Sequence, residues 1–214
     1  MGGLRRLKGL LLALPAVLLM SCSSVGGVQV PGERSRVYKN VLSEYFLVAD
    51  AYLENKKYDK AIEFYTKALA HPDLADSARY KIAYAYALAE RWDKAIPAYQ
   101  ELLEKDPGNT NLEESLAYLY ARQGDLPHSA ATYRKLTERN PYDQKLLENF
   151  ITVLVSGNYL EEAELALERL KTDFPDNTTA EELEKKLAAA WEEQEGRRQE
   201  EPPEDAPLNE GDAA

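Results

Sequence analysis

Cysteine is almost missing from this chain of 214 residues: Cys22 is the single one. An internal disulfide framework is therefore excluded. With only two histidines, His71 and His128, so is a four-ligand cysteine/histidine zinc site. Positive charge is also in short supply. Lysine and arginine number 26 against 37 acids, a formal charge of -11, whereas a protein that grips a phosphate backbone needs a basic face to displace counterions. The eleven glycines nowhere gather into a phosphate-cradling loop, so nucleic acid and nucleotide ligands are disfavoured. Long apolar runs are missing as well, since the stretch from Leu10 to Leu19 is broken by Pro15 and too short to span a bilayer.

That short run has an informative context. Arg5, Arg6 and Lys8 precede it and Leu19-Met20-Ser21-Cys22 follows, the basic, apolar and small-residue order of an export signal. The four residues resemble the lipobox of bacterial lipoproteins, in which a small residue precedes the cysteine that is acylated after cleavage. The resemblance implies a signal peptide over residues 1–21, lipidation of Cys22, and a durable anchor because several acyl chains act together. Ser23 in place of aspartate is similar to the outer-membrane sorting pattern of proteobacteria, which implies a location facing the periplasm.

Removing residues 1–21 would take away three positive charges and leave -14. Residues 22–36, with Gly26-Gly27, Pro31 and Gly32, read as a flexible tether. Residues 192–214 hold nine acids, two bases, three prolines and a single large aliphatic residue, Leu208. Such a composition cannot bury a core, and an acidic disordered tail is expected there.

Residues 37–191 repeat themselves with a period of 34. Ala61, Ala95, Ser129 and Ala163 keep that spacing; Tyr65, Tyr99, Tyr133 and Leu167 follow four residues later, and Ala68, Leu102, Leu136 and Leu170 three later still. Upstream lie Val48-Ala49-Tyr52, Ile82-Ala83-Tyr86, Leu116-Ala117-Tyr120 and Phe150-Ile151-Leu154, each at helical spacing. Pro72, Pro107, Pro141 and Pro175 close the copies, the first of which is a residue short. A helix pair of this kind cannot bury its apolar face alone and must stack on its neighbours.

The pattern resembles the tetratricopeptide repeat. That implies an all-α fold, a right-handed α-solenoid of four helix pairs at about 42–75, 76–109, 110–143 and 144–177, with a capping helix over 178–191 carrying Leu183, Leu187, Ala190 and Trp191. Asn177 is the candidate N-cap of that helix. Small residues let paired helices approach closely while tyrosines fill the space between pairs. Pro127 and Pro97 are expected in first helical turns, where a missing amide is harmless.

Residues capable of catalysis are sparse. His71 and His128 have no nucleophile or second ligand at useful spacing and read as surface histidines. Glu113-Glu114, Glu161-Glu162 and Glu181-Glu182 are neighbours that point apart on a helix and match no calcium loop. No cofactor, metal or small-molecule substrate is expected. In tetratricopeptide arrays the first helices line a concave groove, and their offsets place Phe46, Asp50, Tyr80, Tyr84, Glu114, Tyr118, Glu148 and Thr152 there. Eight tyrosines (45, 52, 58, 65, 86, 99, 120 and 133) fall on packing positions, whereas Tyr80, Tyr84 and Tyr118 do not. Phe46 and Asp50 stand where a clamp for acidic carboxy-terminal peptides would carry a basic residue and an amide, which disfavours such a ligand.

The resemblance as a whole implies a non-catalytic lipoprotein scaffold with protein partners, anchored to the membrane and active in envelope assembly. BamD-type assembly factors, pilus pilotins and adaptors for cell-wall hydrolases share this construction. An envelope enzyme, or a regulatory domain of a peptidoglycan hydrolase, and a self-oligomerising array are the alternatives. Cys22→Ala is expected to abolish incorporation of labelled palmitate, and label entering that variant would refute the lipobox.

Overall fold

The computed structural model describes residues 32–200. The expected signal segment, Cys22 and residues 201–214 lie outside the described residues. The chain divides into two units, 1–38 and 39–214; the described part of the first is the opening of α1, and the packing below belongs to the second.

Nine α-helices occur among the described residues: α1 (Glu33–Glu54), α2 (Tyr58–Ala68), α3 (Ala75–Leu88), α4 (Trp92–Lys105), α5 (Thr110–Gln123), α6 (Leu126–Arg139), α7 (Gln144–Ser156), α8 (Leu160–Asp173) and α9 (Ala180–Glu200). Four helix pairs, α1/α2 to α7/α8, stack in chain order, and α9 covers α7 and α8 with Leu183 and Leu187. The expected α-solenoid of four pairs with a capping helix is the architecture found.

The turn within each pair has one design. Lys56, Glu90, Gly124 and Asn158, again 34 apart, take the left-handed conformation with φ of 56°, 55°, 91° and 60°. The amide of each donates to the carbonyl three residues back, and the next amide reaches five back, to Tyr52, Tyr86, Tyr120 and Leu154 at 2.8–3.0 Å. These two bonds satisfy carbonyls that a helix end leaves open. Only the third copy supplies glycine; in the others a side chain is held where L-residues meet a cost of about 1–2 kcal/mol.

Connections between pairs are also periodic. Asn109, Asp143 and Asn177 lie two residues beyond a proline and cap α5, α7 and α9, their Oδ1 atoms accepting from the amides of Leu112 (3.2 Å), Leu146 (3.1 Å) and Ala180 (2.7 Å). Each such cap contributes about 1 kcal/mol. Copy one is a residue short at this place, and α3 begins after Leu74 without a side-chain cap.

Inside the pairs, Ala49 with Ala61, Ala83 with Ala95, and Ala117 with Ser129 are completely enclosed. The Ser129 hydroxyl donates to the Ala117 carbonyl at 2.7 Å, so the one departure from alanine uses the close approach of α5 and α6 for a hydrogen bond. In the fourth pair Ile151 and Leu154 are fully buried among Leu146, Leu147 and Phe150. Tyr65, Tyr99 and Tyr133 are buried, whereas Tyr52, Tyr86 and Tyr120 are half-buried.

Four expectations are corrected. Residues 33–36, expected in the tether, form the first turn of α1, where Glu33 favours the positive helix end. Residues 192–200, expected in the tail, continue α9, because no proline occurs before Pro202 and Arg197 lies 3.8 Å from Glu193 one turn away. Pro97 is the sixth residue of α4 rather than in its first turn, since the left-handed cap at Glu90 starts the helix earlier. His71 is buried, not on the surface: the bend after α2 folds it inward, and its Nδ1 accepts the Asp73 amide at 3.2 Å.

Open space surrounds Gly124 where a Cβ would project, so Gly124→Ala is expected to cost about 1 kcal/mol through backbone strain alone. Lys56→Gly should move stability the other way by a smaller amount, because it removes the left-handed penalty and adds chain entropy. Urea denaturation of both variants checks the opposite signs.

Candidate partner-binding groove

Residues four apart on a helix share a face, so the pairs 46/50, 80/84, 114/118 and 148/152 form one row across the first helices. The second helices supply the floor through the inward-pointing tyrosines at 65, 99 and 133. Burial pushes all three phenols above their ordinary titration range, with Asp50 adding to the effect at Tyr65. They are neutral hydrogen-bond donors.

Chemistry changes along this row. In the first pair, the Phe46 ring meets Tyr65 edge-on at 5.3 Å. Asp50 accepts the Tyr65 hydroxyl at 2.5 Å and the Lys81 ammonium at 2.9 Å. Asp50 thus joins α1, α2 and α3. Both residues line the row, but their contacts are already made within the protein.

The second and third pairs are open. Tyr80 and Tyr84 stack at 6.4 Å with 5° between their planes, and Tyr80 also meets the buried Tyr99 edge-on at 6.1 Å. Tyr84 is 39% exposed and Tyr118 53%, against 2% for Tyr99 and Tyr133. The two sets of tyrosines therefore fall on different faces. An open trough runs between Tyr84 and Leu88 on one side and Tyr118 and Glu114 on the other, with Tyr99 and Tyr133 at its base.

Two carboxylates sit at equivalent positions one repeat apart. Glu114 is half-buried and accepts Asn149 Nδ2 at 3.1 Å. Glu148 accepts Gln144 at 2.9 Å and Asn177 at 2.6 Å. Burial alone would raise the pKa of Glu148, yet the hydrogen bonds from Gln144, Asn177 and Thr179 and the charge of Lys145 outweigh it and hold the pKa below the usual value. Thr152 turns back on its own helix, donating to the Glu148 carbonyl at 2.9 Å.

The paired acids separate as their spacing predicts. Glu113 faces Arg139 of α6 while Glu114 faces α7, and Glu162 forms a two-pronged pair with Arg134 at 2.7 Å. His128 is exposed and lies 2.7 Å from the Asp125 carboxylate. Among the described residues, no three His, Cys, Asp or Glu side chains converge in a way that could hold a metal.

Sequence reasoning missed Leu88, Asn149 and the ion pair of Arg122 with Glu90 at 3.2 Å. Leu88 continues the 80/84 stripe by one turn, a signal that was present. Asn149 occupies the same 34-residue register as Lys81 and Ser115, but nothing in that register indicates that it would bind Glu114.

Comparison with known proteins adds to this. The tetratricopeptide repeat family matches residues 46–110 and 80–144. No curated protein matches the chain by sequence. Among solved structures, YrrB, described as a TPR protein with an unusual peptide-binding site, is 18% identical with a TM-score of 0.55, over 75% of this chain and 84% of its own. A tetratricopeptide repeat protein from Parabacteroides merdae is 15% identical with a TM-score of 0.62, over 74% of this chain and 63% of its own. A MamA protein designated AMB-1 is 16% identical with a TM-score of 0.56, over 74% and 85%. At these identities the likeness establishes the fold. Repeat register, helix packing and these matches agree: residues 46–144 match the tetratricopeptide repeat family, and the described helices have the fold of solved tetratricopeptide repeat proteins.

Proposed function

We propose that this chain is a non-catalytic scaffold that holds a protein partner in the trough of its first helices, tethered to the bacterial envelope through a lipidated Cys22. One observation carries the binding reading: Tyr80, Tyr84 and Tyr118 stay more than a third exposed on the groove face of an array whose tyrosines at packing positions are buried or half-buried. Exposed, rigid aromatics beside polar groups are the residue types that dominate partner binding. The anchor reading rests on the order of Arg5, Arg6 and Lys8, the apolar run, and Leu19-Met20-Ser21-Cys22. Its outer-membrane, periplasm-facing placement rests on Ser23, and a role in outer-membrane protein, pilus or cell-wall assembly follows from that address.

The self-assembling alternative has one observation behind it, the exposure of Val41, Leu47 and Val48 on α1. Light scattering across a concentration series separates it from a monomeric scaffold.

Tyr84→Ser with Tyr118→Ser is expected to weaken capture of the partner from solubilised membranes by tenfold or more, with melting temperature almost unchanged. Tyr80→Ser should in addition lower stability by about 0.5–1.5 kcal/mol, because it removes an edge contact with the buried Tyr99. Undiminished capture by the double variant would contradict the groove assignment.

A further inference from the structure

Three tyrosines occupy the same register at the base of the groove, and their hydroxyls differ in what they meet. Tyr65 donates to Asp50 at 2.5 Å. The Tyr99 hydroxyl is close to those of Ser115 and Tyr80. Tyr133 is 2% exposed and lines the trough, and its hydroxyl makes no hydrogen bond to any described residue. The hydroxyl is not among the buried polar atoms left without a partner, so it stays accessible at the base of the trough as a donor for a group that enters there.

The charges around it have a sign. Lys81 is 2.9 Å from Asp50, and Arg122 is 3.2 Å from Glu90 and lies over the Trp92 ring at 5.7 Å. The cations of the groove are thus matched with acids or an aromatic face. Glu114, which lies near Tyr133 and Tyr118, receives only the neutral amide of Asn149 among the described residues. One negative charge at the trough is left without a counter-charge, bordered by the aromatic surfaces of Tyr84 and Tyr118. A half-buried carboxylate beside aromatic faces favours an ammonium or guanidinium group.

Resting on the groove as the partner site, we infer that the trough selects an extended peptide segment carrying lysine or arginine. The cation sits against Glu114 and the rings of Tyr84 and Tyr118, and a peptide carbonyl accepts the Tyr133 hydroxyl. An acidic segment is rejected by the same carboxylate, which leaves the chain's own acidic stretch 201–214 unsuited as occupant.

The test pans a phage-displayed library of random dodecapeptides on the full chain in detergent and measures each enriched peptide against variants. Enriched peptides are expected to hold an excess of Lys and Arg over Asp and Glu. They should lose affinity by about tenfold on Glu114→Gln and about fivefold on Tyr133→Phe. The same charge change outside the groove, Glu161→Gln, should leave affinity within twofold. Tyr133→Phe should keep the native melting temperature, because no intramolecular hydrogen bond among the described residues is lost. If enriched peptides are acidic or uncharged yet depend on Tyr84 and Tyr118, the groove stands and the selection for cations is overturned. If no peptide is enriched, or if enriched peptides bind the Tyr84→Ser/Tyr118→Ser variant as well as the native chain, the groove reading and this inference both fall.

Discussion

The Ser129 hydroxyl reaches the backbone carbonyl of Ala117 on the neighbouring helix at 2.7 Å, a distance available only where paired helices touch at their smallest residues. Ala49 with Ala61 and Ala83 with Ala95 occupy the same seam with no exposed surface. Most of the architecture depends on this approach. With α3 and α4 drawn together at Ala83 and Ala95, the large side chains on either side have to pack between successive pairs, which is where Tyr99, Leu116 and Leu119 are buried. The stacking is thus nearest-neighbour in character, each pair stabilised by the next, and α9 ends the series by presenting Leu183 and Leu187 inward and charges outward.

The seam also determines what is left over. Position 83 faces the paired helix, and positions 80 and 84, about 60° and 100° round the helix from it, form the adjoining face of α3, as 114 and 118 do beside Ala117 on α5. Positions 84 and 118 can carry what a partner requires because they contribute little to packing, whereas Tyr80 also braces the buried Tyr99. In the first pair the row is closed by the Asp50 contacts with Tyr65 and Lys81. In the middle it opens onto tyrosine faces and a carboxylate. Specificity and stability are therefore carried by residues one helical step apart, and the two can vary independently.

Much of this was legible because it is periodic. A 34-residue register fixes the helix pairs, the small–small seam, the inward tyrosines and the Asn177 cap without any knowledge of coordinates. What escaped was local or off register. Lys56 and Glu90 adopt a left-handed backbone that glycine at 124 hinted at, yet neither residue type signals it. Lys81 and Asp50 are 31 residues apart, and their ion pair depends on side-chain reach across α1 and α3. His71 is buried by the bend that follows the shortened first copy, where the register is lost. Helix α9 outruns its apolar face because local charge pairing continues a helix that burial no longer requires.

The close seam is tested most directly at Ala95, which is completely enclosed between α3 and α4. Ala95→Leu forces extra methylenes into that contact and should lower unfolding free energy by about 1–3 kcal/mol. Amide hydrogen exchange should lose protection in α3, α4 and α5 together while α7 and α8 keep theirs. Unchanged stability, or protection lost evenly over every helix, would contradict a fold built on small-residue contacts between neighbouring pairs.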